Sequence, residues 1–207
     1  MTKKIGKQSF YFENPPVIIS TGTAVGPFEA QSPFKDDFDF IYDDTLAGQE
    51  SFEKAERTFL LNACYTALNK INTPPENIEY FLAGDLLNQI ISAGFTALKL
   101  EIPFFGIYGA CSTAVEGLIL AGVLIDGGFC NLAMAATSSH NSSAERQYRY
   151  PTEYGNQRKP FSQWTVTGAG AAVVSVSGSG PVITHATVGK VTDLACKDPL
   201  NMGAAMA

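Results

Sequence analysis

The stretch Phe104-Phe105-Gly106-Ile107-Tyr108-Gly109-Ala110-Cys111-Ser112-Thr113-Ala114-Val115-Glu116-Gly117-Leu118-Ile119-Leu120-Ala121-Gly122-Val123-Leu124-Ile125-Asp126-Gly127-Gly128 decides the fold. It reads as a short buried strand (Phe104 to Tyr108), a tight turn at Gly109-Ala110, and a helix apolar on nearly every side that Gly127-Gly128 closes. Cys111 falls at the strand-to-helix joint. Unpaired N–H groups and the positive dipole end of a helix favour negative charge, which activates a thiol and cradles an oxyanion or a ligand carboxylate. Position alone leaves a second role open, since free cysteine often serves only as a small buried hydrophobe.

Composition bounds what surrounds this unit. The 207 residues are 45% hydrophobic and 16% charged, enough for a sizeable core in a globular chain. A formal charge of -6 with no basic stripe argues against nucleic acid as a partner. Lys3, Lys4 and Lys7 are followed by no continuous apolar run, so the N-terminus does not read as a secretory signal. The run from Gly117 to Ile125 falls far short of the roughly 18 to 20 residues of a membrane span, so the expectation is a cytoplasmic or peripheral protein. Cys64, Cys111, Cys130 and Cys196 lie far apart with no C-x-x-C pair, which fits reduced thiols. With His140 and His185 the only histidines, no transition-metal site is expected, and no cofactor.

Toward the N-terminus, the β-branched run from Val17 reads as a first strand ending at Gly26-Pro27. Phe28 to Gly48 is aromatic and acidic without periodicity, an ordered surface insertion whose aspartates form a solvated face. Ser51 to Ile71 is the clearest amphipathic helix: Phe52, Ala55, Phe59, Leu60, Ala63, Ala67, Leu68 and Ile71 share a stripe, and Glu53, Lys54, Glu56 and Arg57 are placed off it. Ile78 to Ala83 reads as a strand, and Leu86 to Leu100 as a helix with Asp85 as its N-cap.

Toward the C-terminus, Phe129 to Thr137 reads as a buried strand that delivers Ser138-Ser139-His140-Asn141 to a strand's C-terminal edge, where open α/β sheets build sites. Glu145 to Lys159 reads as a polar, aromatic loop. Ala171 to Val176 and Val182 to Val188 read as strands joined in a hairpin, His185 being an ordinary sheet residue. The order is βαβαβαβ and then the hairpin, an α/β fold with a mixed, mostly parallel sheet covered by helices.

Tyr108-Gly109-Ala110-Cys111-Ser112-Thr113-Ala114 and Thr167-Gly168-Ala169-Gly170-Ala171-Ala172-Val173-Val174 resemble the N-terminal half of the thiolase-like fold. The match is closer within it. Ala135-Ala136-Thr137-Ser138-Ser139-His140-Asn141, Arg149-Tyr150-Pro151-Thr152-Glu153-Tyr154-Gly155, Gln163-Trp164-Thr165-Val166-Thr167-Gly168-Ala169-Gly170 and Thr187-Val188-Gly189-Lys190-Val191-Thr192-Asp193 strongly resemble the stage V sporulation protein AD family of spore-forming bacteria. That resemblance implies binding of dipicolinic acid (pyridine-2,6-dicarboxylate), as such or as its calcium chelate, for passage into the developing spore. It also implies work beside membrane proteins of the same operon at the spore inner membrane, and a homodimer. Thiolase-like proteins have two similar halves, and residues 1–207 read as one, so the resemblance makes this chain a single N-terminal half.

Two functional classes then compete. As a binder, the protein would hold a planar dianion with helix N–H groups at Cys111 and Ser112, the hydroxyls of Ser138 and Ser139, a partly cationic His140 and an aromatic wall at Trp164. As an enzyme, it would use Cys111 as an acyl-accepting nucleophile with backbone N–H groups as oxyanion hole. In thiolase-like enzymes the second half supplies the partners of that nucleophile, which favours the binder.

Overall fold

The computed structural model describes residues 3–86, 89–148 and 165–197, the backbone only for 145–148. Its elements in chain order are β1 (Lys4–Ile5), β2 (Ser9–Tyr11), β3 (Val17–Val25), β4 (Phe40–Ile41), α1 (Phe52–Lys70), β5 (Tyr80–Asp85), α2 (Ile91–Leu100), β6 (Phe104–Gly106), α3 (Thr113–Asp126), β7 (Leu132–Ser139), α4 (Asn141–Tyr148), β8 (Gly168–Ser175) and β9 (His185–Thr187). Short 3-10 turns fill several of the joints.

The main sheet among the described residues has the order β4-β3-β8-β7-β5-β6. β3 and β4, β5 and β7, and β5 and β6 pair in parallel, while β8 runs against both its neighbours, β3 and β7. The sheet is therefore mixed and mostly parallel, in an α/β fold.

Side-chain alternation splits the core by face. Phe81, Ala83, Met134 and Ala136 point to the side where α1 and α2 lie, joining Phe59, Leu60, Ala63 and Leu68 in the larger cluster. Leu82, Ala133 and Val174 point the other way, onto Ala121 and Ile125 of α3. Each fully buried large apolar side chain here, such as Phe59 or Phe81, stabilises the fold by about 1.5–3 kcal/mol. Ser51 caps α1 by accepting the Lys54 N–H at 3.3 Å. Gly22 lets β3 lie directly on α1, since a side chain there would strike the carbonyl oxygen of Ala63.

Several expectations need correction. The Phe104 to Tyr108 strand, read as buried, is the short, exposed edge strand β6, because β5 is its one neighbour. Asp85 is no N-cap: it is the last residue of β5, in register with Ser138, and α2 begins only at Ile91. The Phe129 strand starts at Leu132 and runs on through Ser139. The β8–β9 hairpin does not form. After the Ser177–Pro181 turn the chain leaves the main sheet, and β9 pairs antiparallel with β2 in a separate sheet β1-β2-β9. β1 and β2 themselves were not expected. Residues 141–144, beyond the expected strand, and 145–148 of the expected loop are helical, and the rest of that loop lies outside the described residues.

The acidic insertion is ordered by two short 3-10 turns and β4. Asp39 anchors it: its carboxylate receives the Thr23 N–H at 2.9 Å and pairs with Lys70 at 2.6 Å. Asp36, Asp37, Asp43 and Asp44 are exposed.

Candidate functional site

Cys111 hangs from the C-terminal edge of the main sheet. After β6, Ile107 donates its N–H to Ala83 O at 3.0 Å, and a side chain at Gly84 would collide with the Ile107 carbonyl. The chain then turns sharply. Ala110 takes a left-handed conformation (φ 48°), unusual for a residue with a Cβ, and Ala110–Ser112 form a 3-10 turn leading into α3. The buried Thr113 locks that turn, receiving the Gly109 N–H at 3.2 Å and donating to Ala110 O at 2.8 Å. Ser112 donates its hydroxyl to Gly109 O at 2.7 Å, so that group is spent on the turn. The Ser112 side chain does not cap the first turn of α3, and Cys111 and Ser112 are exposed in front of it.

The thiol of Cys111 differs from its neighbours in access. Burial pushes the Cys64 thiol far up from its ordinary value, and burial plus the Glu79 carboxylate raises Cys130. Exposure leaves Cys111 the reachable one of these three.

Ser138 and Ser139 arrive at the same sheet edge on β7, but alternation sends them to opposite faces. Ser139 falls on the α3 face, the Cys111 side. Its hydroxyl oxygen is buried and finds no hydrogen-bond partner among the described residues. Ser138 falls on the α1 face and donates to Glu56 at 3.0 Å. His140 lies on that side too, fully buried, its ring 4.8 Å from Phe52. Its Nδ1 accepts the Ser142 N–H at 3.1 Å, which leaves Nε2 to donate to Thr45 O at 2.8 Å and describes a neutral ring. The sheet thus separates Ser138 and His140 from Cys111, Ser112 and Ser139. Trp164 lies outside the described residues. His185 sits exposed in β9, its Nδ1 3.0 Å from Thr184 Oγ1.

The α1 side holds a polar cluster that sequence reading missed. Glu56 is 1% exposed and also receives the Ser143 hydroxyl at 3.1 Å. Burial, with the Asp85 carboxylate adding repulsion, raises its carboxyl to about 7. Glu56 was placed off the apolar stripe of α1. In fact it lies four residues after Phe52 and four before Leu60, squarely on the stripe, and that spacing was the available signal. Among the described residues no group of three or more His, Cys, Asp or Glu side chains is placed to hold a metal ion, and no helix is long and apolar enough to cross a membrane.

Known proteins place this architecture. Solved structures with the same fold include 3-oxoacyl-[acyl-carrier-protein] synthase III from Aquifex aeolicus (TM-score 0.55, 19% identity, 79% of this chain on 55% of that one). OleA from Xanthomonas campestris is another (TM-score 0.54, 13% identity, 80% on 57%). At these identities the likeness shows the thiolase-like fold alone. Stage V sporulation protein AD of Bacillus subtilis is 50% identical over 205 residues, which are 99% of this chain and 61% of the relative, so the chain spans less than two thirds of that protein's length. The sequence profile of Stage V sporulation protein AD matches residues 6–207. The chain belongs to the stage V sporulation protein AD family.

Proposed function

We propose that the chain binds dipicolinic acid, free or as its calcium chelate, at the Cys111 edge of the sheet, and that it serves uptake of this ligand into developing spores. The observation that carries the reading is the Ser139 hydroxyl: a buried polar group without a partner costs about 1–3 kcal/mol, which a ligand oxygen in that place would repay. The exposed first turn of α3, on the same face of the sheet, suits a carboxylate. Ser138 and His140 then act as framework beneath the site, holding the ends of β7 and α4 to α1.

Calorimetry with dipicolinate, with and without calcium, tests this. Ser139→Ala should weaken binding about 3- to 10-fold while leaving thermal stability equal or higher, because it deletes an unpaired group. Cys111→Trp should abolish binding, and Cys111→Ala should retain part of it. Full binding by the Trp variant would place the ligand elsewhere.

A second reading has one observation in its favour, the exposed Cys111 on a strained turn in a fold shared with 3-oxoacyl synthases. As an acyltransferase, the Cys111 sulfur would attack a thioester carbonyl, expel the carrier thiolate, and pass its proton to that leaving thiol. Intact mass after incubation with an acyl-CoA separates the two: a covalent adduct on Cys111 supports transfer, and reversible heat with dipicolinate and no adduct supports binding.

A further inference from the structure

We infer that a second copy of this chain docks head to tail, its acidic aromatic segment 28–48 seated in a lysine-rimmed groove at the opposite end of the sheet. The groove, of 940 Å³, lies between the β1-β2-β9 sheet and the C-terminal end of α3. Lys3, Lys4, Lys7 and Lys190 line it with Asp126 as the lining acid, four positive charges against one. Lys3 lies 2.6 Å from Asp126 and 3.6 Å from Glu13. Lys4, Lys7 and Lys190 are exposed at the rim. The lining between them is apolar: Phe10, Val123 and Val188, with Phe129 69% exposed at the edge.

A cationic patch of this kind stands out on a chain of net charge -6. Its complement is on the same molecule. Segment 28–48 carries Glu29, Asp36, Asp37, Asp39, Asp43 and Asp44 against Lys35, a formal charge of -5, of which Asp39 is neutralised by Lys70. It also exposes Phe28 (60%), Phe34 (65%) and Phe40 (43%), so it offers acid and aromatic surface together, as the groove offers base and apolar floor. This pairing of both chemistries selects a protein segment over a purely anionic surface.

The two surfaces cannot satisfy each other within one chain. The segment follows the C-terminal end of β3, and β4 pairs with Ala24 and Val25 there. The groove sits by the other end, where Phe12 bonds Thr184 and Val17 bridges Val182. A strand of that length spans ~30 Å, about three Debye lengths at 0.1 M salt. Made once per step, such a contact between unlike patches is heterologous and repeats into a ring or a chain; made reciprocally by two antiparallel copies, it closes as a two-fold pair. The groove lies at the opposite end of α3 from Cys111 and does not depend on the ligand proposed there.

Sedimentation velocity of the 207-residue chain at low and high salt tests it, beside two charge-reversed variants. One carries Lys4→Glu, Lys7→Glu and Lys190→Glu, the other Asp36→Lys, Asp37→Lys and Asp43→Lys. The parent should associate at low salt and dissociate at high salt. Each variant alone should associate at least ~10-fold more weakly, and an equimolar mixture of the two should regain association, because each then meets an opposite charge. Regain in the mixture also certifies that both variants are folded; a variant that fails by circular dichroism is replaced by its Lys→Gln or Asp→Asn counterpart, for which the same weakening is expected. A parent that stays monomeric at low salt, association indifferent to salt, or folded reversed variants that stay apart when mixed would each overturn the proposal. So would a monomeric parent whose groove lysines instead bind phosphatidylglycerol vesicles or polyglutamate.

Discussion

The chemistry of single residues here follows from which side of the sheet they occupy. Cys111 is exposed at the head of α3, while burial suppresses the thiolates of Cys64 and Cys130. Iodoacetamide should therefore alkylate Cys111 well ahead of those two in the folded protein, as peptide mapping would read; equal labelling of all three would refute it. On the other face, Glu56 titrates near 7 against an ordinary 4.5. The native state holds that proton more tightly than the unfolded chain, so this residue's contribution favours the fold fully below about pH 4.5. The contribution declines as pH rises to about 7 and is flat above, a change of about 3 kcal/mol across the window. Glu56→Gln keeps an oxygen for one of Ser138 and Ser143, turns an amide N–H toward the other hydroxyl, and removes the titration. Urea denaturation at a series of pH values should then show a shallower fall in stability between about pH 5 and 7, and a variant more stable than the parent at pH 8.

Elements are fixed by how closely their backbones approach. Gly22 and Gly94 make the contrast: a Cβ at Gly22 would meet the backbone of α1, and one at Gly94 in α2 would meet nothing within 4 Å. Gly22→Ala should cost roughly 1–3 kcal/mol or more, and Gly94→Ala should gain about 0.5–1 kcal/mol, both measurable by thermal denaturation. The strands β3, β5 and β7 and the helices α1 and α3 were legible because each carries its own apolar signal, a helical stripe in α1 and near-continuous runs in the others. What escaped was partnership. Nothing local to Gly168–Ser175 says that it runs antiparallel between β3 and β7, and nothing local to His185–Thr187 says that it leaves for β2. The site was legible to the same degree. Strand, turn and helix around Cys111 pointed to the sheet edge, and adjacent serines had to face opposite ways. Which of Ser138 and Ser139 shares a side with α3 depends on the packing of whole helices, and no neighbouring residue encodes it.

At the scale of the molecule, one sheet divides a closed polar interior around Glu56 from an open face at Cys111, and its two ends carry opposite charge. The strand at the centre of that sheet has a further consequence, for the order of events during synthesis. β8 lies between β3 and β7, with Val17 opposite Ser175 and Ser139 opposite Gly168. As translation proceeds, β3 emerges early and waits for a partner that leaves the ribosome some 150 residues later, so its backbone stays unpaired apart from the two-residue contact with β4. A nascent chain stalled before Gly168 should leave β3 open to protease, and one stalled well beyond Ser175 should protect it. Until that central strand is released, β3 keeps an open edge to which a chaperone should bind.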